Sequence, residues 1–323
     1  MEDTPRRSIQ IVPGALTVHE YWHEVQADEA VPCWTYVTEG LEAHGQQEIV
    51  FTFRQDPEMA ENGETPDFLL RVIERIFGLA QRGQTMDAGG FVTMTFTNAQ
   101  RTVNIPFNLL YLPPVPLPGV AMPSPALTVR LMGPAEMKVY EAYGAARLMS
   151  AWAYDYRYFP YPPWSEMPAQ NTVSLKRFEA SVLNQVSRLP LLDSTVSLEG
   201  DEIVLRLRPQ ARESLARHLH RLPPLQGVAL LPNFDPQANA GLVWLPAENE
   251  TVLNATPQSP LTQIAGCFVL FIPEASAAAT RVAEDGFAVR LPPDQWTDLR
   301  EAMLTGRSFT LAASTMQFRL EHI

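Results

Sequence analysis

EIVFTFRQDPEMAENGETPDFLLRVIERIFGLAQRGQTMDAGGFVTMTF, residues 48–96, changes its hydrophobic period twice. Residues 48–53 are β-branched and aromatic, the composition of a strand. After Thr65-Pro66 the apolar positions Phe68, Leu69, Val72, Ile73, Ile76, Phe77, Leu79 and Ala80 recur at helical spacing. With Pro66 near the start and Gly83 past the end, they predict a helix. Gly89-Gly90 then opens FVTMTF (91–96), where Phe91, Thr93 and Thr95 alternate with Val92, Met94 and Phe96 as in a strand covered on at least one face. Strand, helix, strand, without regular βαβα alternation elsewhere, places the chain in the α+β class.

Working outward, CWTYV (33–37) reads as a strand joined to EIVFTF by the polar, glycine-bearing EGLEAHGQQ. Seven prolines between Pro106 and Pro125 predict a long extended loop, with neither helix nor central strand. ALTVRLMG (126–133) reads as a strand and 134–152 as a helix weakened at Gly144. YDYRYFPYPPWSE (154–166) packs six aromatics and three prolines into an irregular crossing between two halves. Beyond it come a hairpin around Gly200-Asp201, a helix from Pro209 to about Arg221, and the strands GVALLPNF, GLVWLP, ETVLNA, CFVLFIP and DGFAVRL. A helix over 293–306, with Asp294 as cap and Gly306 as stop, precedes a last strand at 308–313. The expectation is two packed α+β subdomains, 1–165 and 166–323, each a mainly antiparallel or mixed sheet with one or two helices.

The 323 residues carry 24 Lys+Arg against 36 Asp+Glu, a net charge of −12, and the only lysines are Lys138 and Lys176. No basic run could neutralise a phosphate backbone, so nucleic acid and anionic membrane surfaces are poor partners. The longest apolar runs fall far short of the roughly 20 residues that span a bilayer, and MEDTPRRSIQ has no apolar leader core. A cytoplasmic protein without membrane insertion is expected. Cys33 and Cys267 are too few for a disulfide framework and sit among apolar neighbours.

The sharpest enzymatic pattern is HEYWH, residues 19–23. On a helix, His19 and His23 one turn apart would bind zinc, with Glu20 as general base and His44 or Glu42 as third ligand. Val18, Trp22 and Val25 would then form its apolar stripe. Leu16, Val18 and Trp22 also fit a strand, in which the two histidines would stand about 13 Å apart, too far to share a metal. Cys33 with His44 as its base is a second arrangement to weigh against a packing cysteine beside Trp34. G-x-S-x-G, a P-loop, a strand-borne G-x-G-x-x-G and C-x-x-C are absent. No cofactor or metal is expected, and no catalytic residue is assigned. In the aromatic run, Tyr154, Tyr156, Tyr158, Tyr161 and Trp164 are the candidate binding residues, because such rings supply rigid contact area; they serve equally well to plug a seam.

CWTYVTEGLEAHGQQEIVFTF (33–53), GGFVTMTF (89–96), TVRLMGPAEMKVYEAYGAARLM (128–149), YRYFPYPPWS (156–165) and CFVLFIPEASAAATRVAEDGFAVRLPPDQWTDLREAML (267–304) occur in an order that resembles the C-terminal domain of the endosomal scaffolds Smad anchor for receptor activation and endofin. A fainter likeness runs to suppressor-of-fused-like domains. The resemblance covers roughly residues 30–313. It implies a non-enzymatic scaffold or adaptor-like interaction module whose partner is another protein, without the family's lipid-binding finger or its endosomal address. An arginine-rich, lysine-poor chain suggests a stand-alone version, with a bacterial source and an immunity-like role masking a basic partner among the expectations. The alternatives are a zinc hydrolase built on HEYWH and a structural homo-oligomer subunit.

Overall fold

The computed structural model describes residues 4–55, 65–98, 103–166, 173–223, 225–255, 261–273, 276–313 and 315–323. The fold is α+β, and the chain divides into two compact sheet-based units. The first comprises Met1–Pro134 and Pro162–Thr172, the second Ala135–Tyr161 and Val173–Ile323. The segment 135–161, placed in the first half by its position in the sequence, thus belongs with the second.

In the first unit β1 (Arg7–Val12), β2 (Leu16–Gln26), β3 (Ala30–Glu39) and β4 (Glu48–Arg54) form an antiparallel meander. β4 also pairs in parallel with β7 (Ala126–Met132), and β6 (Val103–Leu112) and β5 (Phe91–Asn98) follow antiparallel. The two-residue β8 (Trp164–Ser165) lies parallel to β4. Helix α1 (Phe68–Ala80) has the spacing expected of it. Its buried Leu69, Val72, Ile73, Ile76 and Phe77 share one core with Val18, Tyr36, Phe51, Leu109 and Val129 from the sheet. Each fully buried side chain of this kind contributes about 1.5–3 kcal/mol.

Pro106 corrects the sequence reading, since it lies inside β6 and opposite Thr95 of β5. The register of β6 with β7 runs only over Asn108–Leu112, so at Pro106 no β7 partner is deprived of an N–H. The prolines from 113 onward do form the extended connection to β7.

The second unit is built on β9 (Ser187–Glu199), whose first half pairs in parallel with β11 (Val228–Asn233) and whose second half pairs with β10 (Glu202–Leu207) and β14 (Gln263–Ala265). Gly200 turns the β9–β10 hairpin with a φ of 62°. Beyond β14 lie β12 (Ala240–Leu245) and the edge strand β13 (Glu250–Ala255). Beyond β11 lie β15 (Val269–Pro273), β17 (Gly286–Leu291) and β16 (Ala279–Ala283). β18 (Phe309–Leu311) pairs with β19 (Gln317–His322), which the sequence reading missed and which runs parallel to β10.

Among the described residues four helices accompany this sheet: α2 (Pro134–Tyr143), which begins at the unit boundary, α3 (Ala145–Asp155), α4 (Pro209–Leu219) and α5 (Pro293–Thr305). The helix predicted over 134–152 is therefore two, broken at Gly144. Pro292, and not Asp294, occupies the cap position of α5, while Gly306 ends it in left-handed geometry as expected. No described helix is long and apolar enough to cross a membrane.

The β3–β4 connection shows what the polarity of EGLEAHGQQ does physically. The buried Glu48 carboxylate accepts from the Gly40 and Glu42 N–H groups at 2.8 and 3.2 Å and from the Thr38 hydroxyl at 2.5 Å. Gly40 (φ 125°) and Gly45 (φ 78°) supply left-handed backbone. A Cβ on Gly40 would stand 2.1 Å from the Ala15 carbonyl oxygen, whereas one on Gly45 meets nothing closer than 4.0 Å. Gly45→Ala should cost about 1–2 kcal/mol, the left-handed penalty alone. Gly40→Ala should cost clearly more, because the clash is with backbone. Urea midpoints of the two variants check the order.

Candidate functional site

HEYWH lies in β2, an extended strand, and not on a helix. The zinc geometry of the alternative, helical reading is therefore not formed: His19 and His23 are four residues apart along a strand, and each has its own neighbours. His19 bonds Ser8 through Nδ1 and Glu39 through Nε2, at 2.8 and 3.0 Å. His23 Nε2 bonds the Thr35 hydroxyl at 2.8 Å. Glu20 is buried and held bidentately by Arg7, which also reaches Asp67. Trp22, expected in an apolar stripe, is 48% exposed. His44 packs edge-on against Phe77. Among the described residues no three His, Cys, Asp or Glu side chains converge on a metal position.

Both cysteines are buried, Cys33 in β3 and Cys267 just before β15. Burial pushes the Cys33 thiol up to about 12 and Cys267 well above its ordinary value, so both are thiols at neutral pH.

The five aromatic candidates separate. Tyr161 and Trp164 are 0% and 1% exposed, so neither presents a ring to solvent, which corrects their assignment as contact residues. Trp164 belongs to β8, opposite Thr52 of β4. Tyr154, Tyr156 and Tyr158 are half-buried, at the last turn of α3 and just beyond it.

What anchors the helix is a group the sequence reading did not single out. Arg147, in the first turn of α3, is completely buried. Its guanidinium grips Asp285 with Nε and Nη2, both at 3.0 Å, bonds Glu284 with Nη2, and donates to the Ser181 hydroxyl at 2.8 Å. Tyr143, Phe178, Trp244 and Phe268 present rings 4.9–5.5 Å from it. Burial alone would lower the arginine's pKa, but Asp285 and Glu284 outweigh it and the net direction is upward. Burial also pushes the Asp285 carboxyl up, against the pull of Arg147. Glu284 takes further bonds from Ser181 and the Val182 N–H. The network ties α3 to the β16–β17 turn and to the short 3-10 turns Leu175–Phe178 and Val182–Gln185. Trp152 of α3 donates to the buried Glu136 of α2 at 2.6 Å, fixing the two helices across Gly144.

The end of α3 is a Schellman cap. Tyr158 N–H bonds the Ala153 carbonyl at 3.0 Å and Arg157 N–H bonds that of Tyr154 at 3.3 Å. The residue in left-handed conformation is Arg157, with φ 52°, where glycine is usual. A side chain there costs about 1–2 kcal/mol. The exposed Arg157 guanidinium stands 4.5 Å from the Tyr154 ring, a contact contributing about 0.5–1 kcal/mol. Arg177, brought by the first 3-10 turn, lies 5.1 Å from the same ring and pairs with Asp155 at 2.8 Å. The result is a Tyr154 ring flanked by two guanidinium groups, with the half-buried Tyr156 and Tyr158 following in the chain; these residue types are enriched at binding hot spots.

Arg147→Leu strands Asp285 and Glu284 in the interior and should cost about 3–5 kcal/mol in denaturant unfolding. Burial holds the His23 pKa below the usual histidine value. A depressed folded-state pKa means that protonation favours the unfolded chain, so this contribution is intact above about pH 6.5 and is lost as the pH falls through the lowered value. His23→Gln, able to keep the Thr35 bond, should lose less stability than the parent between pH 7 and pH 5, read from urea midpoints.

Compared with protein-family models and with curated proteins, the chain matches none of them.

Proposed function

We propose that the chain works by binding another protein, as a cytoplasmic adaptor-like module, through the end of α3. The observation that carries this reading is the exposed Arg157 stacked on Tyr154 with the partly exposed Tyr156 and Tyr158 beside it in the chain, at the end of a helix that the buried Arg147 network anchors. Rigid aromatic and guanidinium groups lose little entropy when a partner covers them, which is why a few of them dominate binding energy. The resemblance of the sequence blocks to scaffold domains supports the same class of activity.

Immobilised protein exposed to extract of its native source should retain a partner in stoichiometric amount. Tyr158→Ala should then weaken the measured affinity by more than 1 kcal/mol, about fivefold, at unchanged melting temperature. Equal affinity of both baits would remove this surface from the proposal, and retention of a second copy of the chain alone would turn it into an oligomer contact. Trp164→Ala is a different case: with its ring buried it should cost about 3–5 kcal/mol of stability.

A further inference from the structure

Resting on that reading, we infer that the segment captured at the end of α3 is acidic, and that Arg157 takes one of its carboxylates. Three observations converge. Arg157 occupies the left-handed position of a Schellman cap, where a glycine would close the helix without strain, and its stack on Tyr154 returns less than the backbone conformation costs. Stability alone therefore does not account for an arginine there.

Beyond that stack, the guanidinium has no ion pair among the described residues, whereas its neighbour Arg177 is already bonded to Asp155. The ring beneath Arg157 orients it, and a planar fork so held is built for a bidentate carboxylate.

Charge is the third observation. In a chain of net −12, Arg157, Arg177 and Lys176, one of only two lysines, lie on two neighbouring elements, with Asp155 and Glu179 as the acidic residues within the same stretches. Charges farther than about 8 Å are largely screened at physiological salt, so the groups close to Tyr154 decide what docks. Leu175, 40% exposed on the turn that brings Arg177, gives the segment an apolar contact as well.

The test uses the full chain and three fluorescein-labelled peptides in which every fourth residue is leucine and the others are glycine with glutamate, lysine or serine. The glutamate peptide should bind in fluorescence anisotropy, at least about tenfold tighter than the other two, and should weaken as salt is raised. Arg157→Gly should abolish that preference while raising the melting temperature by about 2–4 °C, since the cap is relieved of its strained residue. Failure of the glutamate peptide to bind, equal binding of the serine peptide, or a glycine variant that keeps the preference would each overturn the inference. A glycine variant that melts lower would do so too, by showing that Arg157 is there for the fold. These results leave the wider reading standing, because its own failure is read separately, in a Tyr158→Ala bait that holds its partner as tightly as the parent.

Discussion

A guanidinium with no solvent at all is the constraint around which the second unit is arranged. Arg147 keeps its charge in the interior only because Asp285 accepts from its Nε and lies within ion-pair distance of its Nη2, Glu284 and Ser181 bond the other nitrogens, and four aromatic rings fill the space around it. Residues 147, 181 and 284–285 are far apart in sequence, so the network acts as a long-range clamp. It offers specificity more than stability, because hydrophobic groups of the same volume would stabilise a core as well without dictating which elements meet. Here it dictates that α3 and the 3-10 turns meet, and their meeting places Arg177 over Tyr154.

That placement separates support from contact. The buried side of α3 (Arg147, Leu148, Met149, Trp152) fixes the helix, and its end carries Tyr154 and Tyr156, both partly exposed. A contact surface needs both, because groups that must be ordered on binding lose part of their interaction energy to that ordering. The strained cap at Arg157 belongs to the same logic: a helix anchored at its other end tolerates a strained residue at a position whose side chain faces outward.

Legibility from sequence followed the range of the interactions involved. The switch of period across 48–96 is local, and β4, α1 and β5 appear where it puts them. Gly144 was readable as a weakness in a helix but not as the break between two, since that depends on Trp152 reaching Glu136 across it. Pro106 forbids a strand paired on both sides, and only the shortened register with β7 lets it sit in one. β19 was invisible because a short strand with alternating charges is recognisable only once β10 is there to pair with it. HEYWH fits two periods at once, and the pairing of β2 with β1 and β3 decides between them. The Arg147 clamp left one local trace, an arginine among the apolar residues of AARLMSAW; its partners around Asp285 lie 138 positions away.

The aromatic run from Tyr154 to Trp164 shows why composition identifies a region before it identifies a residue. Six aromatic rings, five of them tyrosine or tryptophan, are spread over eleven residues, yet the backbone sorts those five. While the chain is closing a helix its successive residues turn outward through the cap, and Tyr154, Tyr156 and Tyr158 stay half-exposed. Once it becomes extended and pairs with a strand, side chains enter packed surfaces, and Tyr161 and Trp164 vanish from solvent. The dividing line is the point where helical hydrogen bonds end, at the bond from Tyr158 to Ala153. Arg157 stands immediately before it, in the one backbone conformation that a side chain pays to occupy, and this makes it the position in the run where the identity of the residue carries the most information about what the surface is for.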